Sequence, residues 1–251
     1  MQKAVILITI VALGYFLIPV NKANQYKVEY EANKTMRPPL RLVFFHDISN
    51  STKGKGVQKI EDSTFVQLYQ AYDRNIELDF GIIAKTSARQ LVPLYLPAWT
   101  LAKPIVPELL KFEITQREGI STEYREAINK YKADSQLYCI NRRTAITKFT
   151  ARINKYLALE GNSALRSGTD IETALAIADK TFNYSSADKF NNVCILNSDG
   201  RDSEAPSGLH LINKATVILV NANKFEKTSI DSLVTHKFQS IEQAISFILT
   251  K

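Results

Sequence analysis

Beyond residue 38 the chain alternates short continuous apolar runs with stretches whose apolar positions recur at helical spacing. "LRLVFFHD" (40–47) is an apolar run between Pro38–Pro39 and a polar loop, the signature of a buried strand. "VQKIEDSTFVQLYQAYDR" (57–74) then sets Val57, Ile60, Phe65, Leu68 and Tyr72 on one helical side. "ELDFGIIAK" (77–85) and "RQLVPLYL" (89–96) read as two further strands, and Pro93 places the latter at an edge. "TAITKFTARINKYLALEG" (144–161) aligns Ile146, Phe149, Ile153 and Leu157 as an amphipathic helix, and "SGTDIETALAIADKTF" (167–182) opens another behind Thr169 and Asp170. "NNVCILNSDG" (191–200) and "KATVILVNA" (214–222) are strands, and "SIEQAISFILTK" (240–251) is a closing helix. This alternation predicts an α/β fold, a doubly wound and mostly parallel sheet flanked by helices on both faces.

Two regions depart from the alternation. Residues 98–138 follow Pro97, carry Pro104 and Pro107 early on and form an irregular excursion, with a short strand expected at "LLKFEIT" (109–115) and a capped polar helix at "STEYREAINKYKAD" (121–134). They are read as an insertion. The N-terminus carries "AVILITIVALGYFLIPV" (4–20), uncharged and behind Lys3, which is long for a signal-peptide core and at the short limit for a membrane span. Residues 1–23 are therefore expected to be a signal anchor or signal peptide, 24–37 a polar linker running up to Pro38–Pro39, and 38–251 the globular domain. Uncleaved, the segment tethers the chain to a membrane through 4–20 with the domain extracytoplasmic; cleaved, it leaves a secreted or periplasmic protein.

Composition narrows the function classes. The 251 residues carry a net charge of +7, but the basic residues are scattered and lack interleaved stacking aromatics, so no nucleic-acid partner is expected. Two cysteines, Cys139 and Cys194, make no disulfide framework and have no CxxC spacing; whether they pair is open. Three scattered histidines offer no zinc spacing, "STKGKG" lacks the order of a phosphate loop, and there is no GxSxG.

The chemistry concentrates where the elements begin and end. The first strand runs into Asp47, Ser49 and Ser51 at alternate positions; Thr169 precedes a helix; Asp199 follows a buried strand. Core packing asks for none of these. Taken singly, each is a turn or helix cap. In a doubly wound sheet, however, such loops can converge beyond the carboxyl ends of the strands, where ligands bind. Two carboxylates and three hydroxyls suit a hard divalent cation, magnesium or manganese before calcium. On alternating strand geometry His46 points away from Asp47 and is expected to be packed or hydrogen-bonded.

"DISNS", "SGTD" and "VCILNSDG", in that chain order, resemble the elements of the von Willebrand factor type A (VWA) domain with its metal-ion-dependent adhesion site (MIDAS), over roughly residues 38–251. The resemblance implies a Rossmann-like VWA fold in which Ser49 and Ser51 hold the metal directly and Thr169 directly or through water. Asp47 and Asp199 would act largely through bound waters. It also implies a partner protein that supplies an Asp or Glu to the metal, and hence a binding module rather than an enzyme. Two other readings stay open: a metal-dependent hydrolase of an anionic substrate, and a structural subunit of an envelope complex with a vacant site.

Overall fold

A computed structural model describes residues 26–32, 36–49, 60–85, 91–160, 168–183, 189–201, 215–221, 228 and 230–250. The chain divides into two compact units. Among the described residues, one comprises 26–32 and 102–133, the other 36–101 and 134–250.

The larger unit is α/β. Its strands are β1 (Leu40–Asp47), β2 (Ile76–Ile83), β3 (Val92–Leu96), β4 (Asn191–Asn197), β5 (Ala215–Val220) and β6 (His236–Phe238), in the spatial order β3-β2-β1-β4-β5-β6. All neighbouring pairs are parallel except β2 with β3. Pro93 lies on the edge strand β3, as its missing N–H requires, opposite Asp79. β1 and β4 are buried almost throughout, which explains their continuous apolar runs. The order runs one way from β1 to β3 and the other way from β4 to β6, so the sheet reverses direction between β1 and β4.

The helices are α1 (Val66–Gln70), α2 (Ile114–Glu160), α3 (Ile171–Asn183) and α4 (Ile241–Thr250). Ile146, Phe149 and Ile153 of α2 and Ile241, Ala244, Ile245 and Ile248 of α4 belong to the core built on Leu42, Phe44, Leu78, Phe80 and Ile195. Ile171, Ala174, Leu175, Ala178 and Phe182 of α3 form a second core with Val43, Phe45, Cys194 and Leu196. Alternate residues of β1 thus enter different cores, so the sheet is covered on both faces. Gly81 permits the α3 face to close: it pairs with Phe45, and a Cβ at this position would meet that ring at 2.6 Å.

Several local expectations need correction. The two helices expected at 121–134 and 144–161 are parts of one 47-residue helix, α2. No Gly or Pro lies between Ile120 and Glu160 to break it, and Thr122 donates back to the carbonyl of Glu118 rather than capping a new start. Residues 109–115 form a 3-10 turn (Leu109–Lys111) and the first residues of α2 instead of a strand. The helix expected over 57–74 is, within the described residues, a 3-10 turn at Asp62–Phe65 followed by α1 alone. β6, only three residues long, was not anticipated. Cys139 and Cys194 are both free thiols, and burial pushes the thiol pKa of Cys194 well upward.

Arg142 fastens α2 within the larger unit. It is 2% exposed, and its guanidinium donates to the carbonyls of Leu68 (2.7 Å), Tyr69 (3.0 Å), Ala71 (3.1 Å) and Pro97, and to the Tyr138 hydroxyl (3.0 Å). Elsewhere in the same unit, Arg37 pairs with Asp73 and donates to the carbonyl of Leu249 near the end of α4.

Candidate metal centre

The carboxyl ends of β2, β1 and β4 lie side by side, because Asp47 is in register with Ile83, and His46 with both Ile82 and Asn197. One residue past that register, the Ser198 hydroxyl donates to Asp47 Oδ2 at 2.6 Å. The backbone N–H of Ser49 donates to Asp47 Oδ1 at 2.8 Å, so the carboxylate folds its own loop into a tight turn. The Gly200 N–H donates to Ser198 Oγ (3.1 Å), and the Arg201 N–H to Asp199 Oδ1 (3.1 Å). Asp47, Ser49, Ser198 and Asp199 are all buried.

Burial is the largest influence on the Asp47 carboxyl and raises its pKa; the hydrogen bonds from Ser198 and Ser49 pull it down, and the charge of nearby Asp199 adds to the rise. Two acidic groups therefore share one desolvated loop cluster. A divalent cation would reverse both the desolvation penalty and the mutual repulsion, so the donor set fits a hard metal. Among the described residues no group of three His, Cys, Asp or Glu side chains could hold a metal; this donor set is instead two carboxylates with hydroxyls.

Thr169 is buried in the loop before α3, and the N–H of the next residue, Asp170, donates to the carbonyl of Ala84 just past β2 (2.9 Å). That bond brings the Thr169 loop to the same edge of the sheet. Asp170 also caps α3, accepting from the Thr173 N–H at 2.9 Å. Ser51 lies outside the described residues. The reading of the sequence passed over Ser198, although its place immediately before Asp199 at the end of a buried strand was visible.

Asp199-Gly200 is more than a routine turn. Gly200 has φ +75°, and a Cβ there would meet Thr228 Cγ2 at 2.8 Å. Gly200→Ala is expected to cost about 2–4 kcal/mol, from the left-handed backbone and the enforced displacement together. Urea unfolding checks this, and an unchanged midpoint would contradict it.

Behind the acidic cluster, Asn221 donates to Asn197 Oδ1, and Asn197 Nδ2 lies 2.7 Å from His46 Nδ1. This relay assigns Nδ1 as the acceptor and leaves the proton on Nε2. Burial lowers the His46 pKa from 6.5 to about 4. The native ring is neutral while the unfolded one titrates near 6.5, so acid favours unfolding: stability is intact above about pH 6.5 and declines toward pH 4. The whole interval corresponds to about 3 kcal/mol, at about 1.4 kcal/mol per unit. His46→Gln should flatten this part of the profile of urea midpoint against pH; parallel profiles for parent and variant would refute the assignment.

No family model matches the chain, and no curated protein does. Among solved structures, the human COPII-coat protein Sec24c matches over 90% of this chain and 33% of its own, at 13% identity and a TM-score of 0.39. The pilus adhesin SpaC from Lactobacillus rhamnosus GG, in its open conformation, matches over 88% and 30%, at 9% identity and 0.38. The chain spans about a third of the length of each. At these TM-scores neither likeness transfers a function, and the class that can be stated is an α/β domain with a six-stranded mixed sheet flanked by helices.

Proposed function

We propose that this chain is a VWA-like protein-binding module that uses a divalent cation, magnesium or manganese before calcium, to take up a carboxylate from a partner protein. The observation that carries the reading is the joining of Asp47 to Ser49 and Ser198, beside Asp199, where the sheet reverses direction. Ser49, Ser51 and Thr169 would supply hydroxyl oxygens, and Asp47 and Asp199 the balancing charge. The cation would supply a positive site that accepts an Asp or Glu of the partner. With neutral hydroxyls filling part of its coordination, it keeps enough charge to attract that acid.

Asp47 is held by the Ser49 N–H and the Ser198 hydroxyl, which fix the orientation of its carboxylate before any ligand arrives. We assign no catalytic group. His46 is turned into its relay with Asn197 and is not placed to act as a base toward the acidic cluster. The module would be tethered to a membrane through residues 4–20, with the domain extracytoplasmic.

The test is capture from native membranes by the immobilised full chain, in magnesium and in chelator. Binding of a defined partner should require magnesium and be lost in Asp47→Ala and in Ser49→Ala. A partner that stays bound through chelation and both substitutions would overturn the reading.

A further inference from the structure

The smaller unit carries an apolar surface that the acidic cluster does not explain. Val106 is 67% exposed, Leu110 87% and Ile114 79%, three bulky apolar side chains within nine residues. Single exposed leucines are ordinary on protein surfaces, but three such exposures within one short stretch of chain suit a contact surface.

Three contacts tie this loop to the N-terminal segment of the same unit. Tyr30 and Pro104 form an antiparallel bridge, supported by bonds from the Glu31 N–H to the Lys103 carbonyl and from the Ile105 N–H to the Glu29 carbonyl, both 2.8 Å. The ring of Tyr26 packs edge-to-face on Phe112, with centroids 5.6 Å apart. The apolar stretch 4–20 ends six residues before Tyr26, and six residues of extended chain reach about 20 Å at most. Chain connectivity thus limits how far that stretch can end from Tyr26, whose ring packs on Phe112 of the loop.

We infer that the loop around Val106, Leu110 and Ile114 dips into the surface of the bilayer that holds residues 4–20. This rests on reading 4–20 as a membrane segment; among the described residues no helix is long and apolar enough to cross a membrane, and 4–20 lies outside them. The flanking groups suit an interface. Tyr26, Tyr30 and Phe112 are aromatics of the kind that settle at headgroup depth. Lys103 lies 3.7 Å from Glu31, and Lys111 2.9 Å from Glu108, so both lysines beside the loop are paired with acids. The docking is therefore driven by apolar area and needs no anionic lipid.

The test uses the full chain carrying Trp99→Phe, which removes the sole native indole, together with Leu110→Trp, reconstituted in phosphatidylcholine vesicles. Flotation reports whether the chain is membrane-bound. Emission is then compared between ordinary lipid and lipid brominated along the acyl chain. The inference predicts a floating chain whose indole emission is quenched about twofold or more by brominated lipid, as burial at the acyl boundary requires. A floating chain with unquenched emission would overturn the loop contact while leaving the anchor intact. Unquenched emission that shifts to the blue as protein concentration rises would assign the loop to a second copy instead. A chain that fails to float would overturn both the anchor and the contact.

Discussion

Arg142→Met is expected to lower the unfolding free energy by about 3 kcal/mol. The substitution keeps much of the side-chain volume but removes every donor from a site 2% exposed. The carbonyls of Leu68, Tyr69, Ala71 and Pro97 all lose their Arg142 donor. A buried acceptor left unpaired costs about 1–3 kcal/mol. Against that stands the burial penalty of the guanidinium itself, visible in its lowered pKa, which the substitution relieves. The Leu68 carbonyl keeps the Ala71 N–H and the Pro97 carbonyl keeps the Tyr138 hydroxyl, but the balance remains unfavourable because the Tyr69 and Ala71 carbonyls lose the guanidinium, and because the same fork joins α2 to the turn after α1. For a chain of this size, 3 kcal/mol corresponds to a fall in Tm of about 6–12 °C. Arg142→Lys should recover only part of it, since a single ammonium cannot reach carbonyls on opposite sides of the planar fork. A Tm within about 2 °C of the parent for Arg142→Met would contradict this account.

The second large effect falls on the acidic cluster. Asp47→Asn is expected to leave the metal-free protein as stable as the parent or more so, and to remove its response to magnesium. The amide oxygen can still accept from the Ser49 N–H, and its NH2 can donate to Ser198 Oγ once that hydroxyl turns. What disappears is a buried negative charge beside Asp199, the arrangement that raises the Asp47 pKa. In the parent, a ligand that binds only the native state adds RT ln(1 + [L]/Kd), about 2.7 kcal/mol at a hundredfold excess over Kd. That corresponds to about 5–11 °C in a chain this long. A variant destabilised without metal would show that the Asp47 carboxylate is a structural group rather than one held in readiness for a cation.

Much of the sheet was legible because β1 and β4 are buried on both faces, and burial on both faces writes a continuous apolar run. Pro93 marked β3 as an edge for a reason that survives in the structure. The continuity of α2 was less legible: its middle, "SQLYCINRR", has no apolar period, although nothing in it breaks a helix. Arg142 belongs to the same failure, since periodicity assigns an arginine to solvent and only tertiary packing reveals four waiting carbonyls. Three-residue β6 lies below what alternation can signal. At the candidate site Asp47, Ser49, Thr169 and Asp199 announced themselves by interrupting apolar runs or opening a helix. The position of Ser198 before Asp199 was visible too, but its bond to Asp47 follows only from the register that pairs His46 with Asn197 and so sets Ser198 beside Asp47.

The most direct test of the central claim is thermal unfolding of the full chain in detergent, in chelator and then in rising magnesium, for the parent and for Asp47→Asn. A concentration-dependent rise in Tm confined to the parent is the predicted result. Superimposable curves for the parent at every magnesium concentration, or an equal rise in Asp47→Asn, would contradict a metal site at Asp47.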